Sequence, residues 1–81
     1  MKVYMRPVEM LAWVNEEGSH PLKFRLNDEV IKVEQVLSSI QEKLAGNLMV
    51  VCKCQSEMNG ELKPFELKFE IHVCKWFLFK I

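Results

Sequence analysis

The chain has 81 residues, 49% of them apolar, with 11 Lys plus Arg against 11 Asp plus Glu. That length admits one domain, and the zero net charge lacks the basic excess that drives strong non-specific nucleic-acid binding, although a local basic patch stays open. No apolar run approaches the ~20 residues of a membrane helix, Met1-Lys2-Val3-Tyr4-Met5-Arg6-Pro7 lacks a signal-peptide core, and three cysteines, an odd number, read as reduced thiols in a cytoplasmic protein.

Taken in chain order, a first strand is expected over 8–14, ending in a hairpin loop at Asn15-Glu16-Glu17-Gly18. A second follows over 21–26, where Leu22, Phe24 and Leu26 alternate with Lys23 and Arg25. Asn27-Asp28-Glu29 supplies a polar turn, and a third strand runs over 30–37. Ser39-Ile40-Gln41-Glu42 then has the spacing of a capping box, in which hydroxyl and carboxylate each satisfy a free backbone amide. With Ile40 and Leu44 on one face and Gly46-Asn47 as a stop, residues 39–45 are expected to form a short helix docked on the sheet.

A fourth strand, 48–56, is apolar on both faces at its start. Asn59-Gly60 has the chemistry of a tight primed turn, because both residues tolerate positive φ. The fifth strand, 62–71, shows the clearest period-two pattern: Phe65, Leu67, Phe69 and Ile71 on one side, Glu66, Lys68 and Glu70 on the other. A sixth strand, 73–80, is again apolar on both faces. Short connections make sequence neighbours spatial neighbours. The expected fold is mainly β: a six-stranded antiparallel meander curled into a small, partly open barrel, with one helix between strands 3 and 4. The curl, or a homodimer, covers the second face of strands 4 and 6.

Candidate sites are sparse. Cys52, Cys54, His72 and Cys74 could converge on a metal or serve a thiol site if their strands face each other, because residues two apart in a strand point the same way. One intervening residue in a strand is not the usual knuckle spacing, and free cysteines are also ordinary small core residues. A Cys–His catalytic pair would need an oxyanion hole and a pocket, of which the sequence shows no sign. Lys23, Arg25, Lys75, Trp76 and Lys80 place cations beside aromatic rings, as nucleic-acid stacking requires. In so short a chain most rings must be core, with Trp13 and Trp76 the two expected at the surface. The carboxylates interleave with lysines as a solvated face, and no pair of them is spaced for acid–base work.

From Pro21 onward the chain resembles a group of small bacterial proteins, mostly of Firmicutes. The resemblance is carried by Pro21-Leu22-Lys23-Phe24-Arg25, Val30-Ile31-Lys32-Val33, Val36-Leu37, Glu42-Lys43-Leu44-Ala45-Gly46-Asn47, Cys54-Gln55-Ser56, Asn59-Gly60, Glu66-Leu67-Lys68 and Cys74-Lys75-Trp76-Phe77-Leu78-Phe79-Lys80-Ile81. It brings no assigned activity. The hydrophobic skeleton (Pro21, Phe24, Val33, Val36-Leu37, Phe65, Leu67, Trp76, Leu78) is also similar to a small domain encoded with translesion DNA polymerases, which implies a DNA-repair accessory role. Together these readings lead to a non-catalytic β-module without a cofactor, binding protein or nucleic acid. The alternatives are the thiol or metal site above and a structural self-association module.

Overall fold

The computed structural model describes residues 1–81. It is all β, with seven strands: β1 Val3–Asn15, β2 Gly18–Leu26, β3 Glu29–Lys32, β4 Gln35–Leu44, β5 Asn47–Met58, β6 Glu61–Glu70 and β7 Lys75–Lys80. They form one antiparallel sheet in the order β3-β2-β1-β7-β6-β5-β4, curled into a half-barrel. Two meanders, β1-β2-β3 and β4-β5-β6-β7, are joined where β1 pairs with β7 through Arg6↔Leu78, Pro7↔Phe77 and Val8↔Trp76. The first and last strands are therefore central, and the edges are β3 and β4.

The expected helix at 39–45 is strand. Leu44 pairs with Asn47, Glu42 with Met49 and Ile40 with Val51, all within β4 and β5. The Ile40–Leu44 spacing of four is even, so it keeps two side chains on one face of a strand as well as of a helix. What decides the matter is the turn. Ala45 and Gly46 both have positive φ, 51° and 83°, which closes a two-residue hairpin rather than a helix. The Ser39 hydroxyl lies 3.6 Å from Cys52 Sγ instead of capping a helix. The expected third strand, 30–37, is likewise two elements, broken at Val33-Glu34.

Register sorts the side chains. Val50↔Phe69↔Trp76 and Cys52↔Leu67↔Leu78 point inward, as does Cys54↔Phe65. Phe24, Cys52, Cys54, Phe65, Leu67, Trp76 and Leu78 make the core. Phe24 on β2 meets Phe65 on β6 across the curl, with ring centroids 5.8 Å apart and planes tilted by 56°. The outward row Ile40↔Val51↔Lys68↔Phe77↔Pro7 crosses the convex face. There the Lys68 ammonium is held 2.8 Å from Glu42 Oε1 and 3.9 Å above the Phe79 ring. The expected second cover of the strands at 48–56 and 73–80 is partial: Met49 is buried, while Val51, Phe77 and Phe79 are half-buried.

Consecutive strands β3 and β4 lie at opposite edges of the sheet, yet only Val33 and Glu34 separate them. That link ties the two edges. Val33 N–H donates to Leu22 O at 2.8 Å, Glu34 N–H donates to Ser56 Oγ at 2.9 Å, and Ser56 Oγ donates to Lys32 O at 2.7 Å. The Glu34 carboxylate accepts from Glu57 N–H. Ser56 is buried, so its hydroxyl serves as the clasp at one end of the seam.

Candidate functional site

The clasp closes one end of the seam and leaves the other open. There a cleft of about 650 Å³ separates Val14 and Pro21 from Val36 and Gln41, with Phe69 and Trp76 below. Beyond the clasp a second cleft of about 750 Å³ is lined by charges of both signs, among them Arg6, Lys32 and Lys63 with Glu29, Glu34 and Glu57. In neither cleft do three His, Cys, Asp or Glu side chains come close enough together to hold a metal ion.

The two edges differ in how they are protected. An unpaired edge offers backbone N–H and C=O groups to any extended chain, so edges are usually short, charged or bulged. β3 has four residues, two of them charged, Glu29 and Lys32. β4 has ten, and its stretch Val36–Gln41 carries no charge. Its guards are a register shift between Val36 and Ser38, and Glu42-Lys43 near its end. Val36, Leu37, Ile40 and Leu44 are all exposed, Ile40 by 58% and Leu44 by 67%. β4 is thus a long edge with four exposed apolar side chains and a free row of backbone hydrogen-bonding groups.

The sulfur and imidazole groups are not brought together as a metal or thiol site. Cys52 and Cys54 are sealed in the core, and Cys54 Sγ lies 3.7 Å from the Cys52 carbonyl. Burial raises both thiols. Cys54 is pushed up to about 12, with the neighbouring charges of Cys52 and Glu66 adding to burial, while the Ser39 hydroxyl partly offsets the rise at Cys52. Nucleophile and metal ligand are both thiolates, so these two sulfurs are inert at neutral pH. Cys74 is separate and exposed in the β6–β7 turn, with φ 53°, and rests 3.7 Å from Ile71 O. His72 is exposed in the same turn.

The basic-aromatic candidates are also dispersed. Arg25 reaches Glu9 at 3.5 Å, and Lys23 stands opposite Leu11 on the first meander. Lys75 pairs with Glu70 at one end of β7, and Lys80 lies 4.8 Å over the Phe79 ring at the other. Trp76, expected at the surface, is only 7% exposed and packs on Phe69 at 4.7 Å, so its ring is not free to stack on a base. Trp13 is exposed as expected, but its face is covered by His20, 4.1 Å away and within 18° of parallel. The stack follows from pairing across the first hairpin, where Trp13 stands opposite His20. Its signal in the sequence is the equal distance of the two from the Asn15–Gly18 loop.

These features define an all-β half-barrel module whose longer free strand edge is β4. Comparison with protein-family models, with curated proteins and with solved structures returned no match. No helix is long and apolar enough to cross a membrane.

Proposed function

We propose that this protein is a non-catalytic module that binds another polypeptide by adding an extended segment to the β4 edge. The observation that carries the reading is the free outer edge of the ten-residue β4, with Val36, Leu37, Ile40 and Leu44 exposed along it. In strand addition, main-chain hydrogen bonds supply affinity and alternate side chains supply selectivity. The open cleft beside β4 gives inward-pointing side chains of such a segment an apolar place to rest. Nucleic acid is the weaker choice, because the four cations are dispersed and Trp76 is buried. An accessory role beside a DNA polymerase fits the same reading, with the contact made to protein rather than DNA.

A random peptide library displayed on phage tests this, panned against the wild type and against a Leu37→Lys/Ile40→Lys variant that places charge on the edge. Enrichment of alternating apolar peptides that lose binding to the variant supports the proposal. Peptides that bind both proteins equally would count against it, as would single-stranded DNA binding at low salt with no peptide enriched.

A further inference from the structure

We infer that the β4 edge pairs with the β4 edge of a second copy, antiparallel about a two-fold axis through Ile40; this rests on the edge-docking reading above. Face fixes the choice of register. In β4, Ser38, Ile40, Glu42 and Leu44 lie outward, whereas Ser39, Gln41 and Lys43 lie inward, opposite Cys52, Val50 and Leu48. A two-fold normal to a continuous sheet pairs outward residues only with outward residues, so the two partner numbers must add to an even total. Centring on Glu42 sets two carboxylates face to face, which is destabilising. Centring on Gln41 sets Ile40 opposite Glu42, which leaves the most exposed apolar side chain of the uncharged stretch without an apolar mate.

Centring on Ile40 removes both faults. Ile40 meets its own mate, Ser39 meets Gln41, and Ser38 meets Glu42. Ser38 pairs on its other side with Lys53, which is exposed. Each Glu42, held by Lys68 of its own copy through Oε1, also looks across a small serine toward Lys53 of the other copy, and the symmetry makes this acid–base approach twice. The outward row Phe77–Lys68–Val51–Ile40 then continues into the second molecule, with Val51 and Ile40 giving the junction an apolar centre. The paired span about Ile40 is Ser38–Glu42, which takes Ser38–Gln41 of the uncharged run out of water.

The register is read by disulfide trapping in a Cys74→Ser background, which removes the one exposed native thiol. Facing residues of an antiparallel pair have Cα atoms ~4.5–5.5 Å apart, inside disulfide range. Leu44 and its mate would be eight residues out of register, about 27 Å at ~3.4 Å per residue. Ile40→Cys should yield a covalent dimer on mild oxidation, and Leu44→Cys should not. Without oxidation, the wild type should show a dimer mass by light scattering at micromolar concentration. Ile40→Lys, which sets like charges face to face on an exposed position, should be a folded monomer by circular dichroism. Equal crosslinking at both positions overturns the register. A wild-type monomer that fails to crosslink through Ile40→Cys overturns the dimer: if it still enriches edge-binding peptides the edge-docking reading stands, and if it enriches none both fall.

Discussion

The curl of the sheet predicts a measurable coupling between Phe24 and Phe65. The two rings belong to different meanders and are each 1% exposed, so their contact exists only if the second strand folds over the sixth. A domain of 81 residues has a stability of about 4–12 kcal/mol, at ~0.05–0.15 kcal/mol per residue. Phe→Ala in a core costs ~3–5 kcal/mol, so a double alanine variant would approach the whole. Leucine is the better probe. Phe24→Leu and Phe65→Leu should each cost about 1.5–3 kcal/mol, between conservative core swaps and full truncation. The double variant should lose less than the sum by about 1 kcal/mol, the value of one tilted aromatic pair. Urea denaturation of the four proteins at constant m-value measures this. Additivity within ~0.3–0.5 kcal/mol is the behaviour of residues that do not touch. That outcome would refute the contact between the two rings and the half-barrel with it.

The clasp, the hairpins and the thiols give further outcomes. Ser56→Ala strands Glu34 N–H and Lys32 C=O and should cost about 1–3 kcal/mol by urea denaturation, with faster amide exchange at Glu34 than elsewhere in the sheet. Ala45→Asn places a residue that tolerates the left-handed region at φ 51° and should raise stability by about 0.5–1 kcal/mol, read as a higher Tm. Gly60→Ala meets no atom within 4 Å but sits at φ +79°, so it should cost about 1 kcal/mol through backbone strain alone. One thiol per chain, Cys74, should react with a disulfide reagent in the native state, and all three in denaturant. The Cys54 thiol is pushed up to about 12 in the fold against ~8.5 when unfolded, so the native state holds its proton longer. Stability should be unaffected below about pH 8.5 and fall as pH rises toward 12, by up to ~1.4 kcal/mol per unit for this group. Cys54→Ala should remove that share of the slope.

Much of the fold is legible in the residues. Phe65, Leu67 and Phe69 fall inward because nothing but a strand gathers that alternation on one face, and Asn59-Gly60 turns as its chemistry requires, with φ 53° and 79°. The strand at 35–44 is not legible in the same way. A spacing of four satisfies both periods, Ser39 and Glu42 mimic a cap, and Ala45 is an unusual residue at a positive-φ turn position, so local signals favour a helix that pairing with β5 overrides. By residue type Cys74 reads as one more core thiol, yet it falls in a turn that the apolar run Trp76–Phe79 does not announce.

The edge was hidden for a more general reason. Whether a strand is central or peripheral depends on which partners reach it, and here that follows from a single long-range pairing, β1 with β7. Once that pairing sets the first and last strands at the centre, β3 and β4 must be edges although they are consecutive in the chain. The link between them is only Val33 and Glu34, so the two edges must lie close together at that end, and the curl of the sheet brings them there. The same two residues that close the clasp thereby leave the other end of the seam open and the outer edge of β4 without a partner strand. An apolar stretch at Val36–Ile40 is an aggregation hazard on a lone edge and an asset on a pairing one. A charged substitution at Ile40 should therefore abolish association while leaving the half-barrel folded, since the clasp and the Phe24–Phe65 contact are both remote from it.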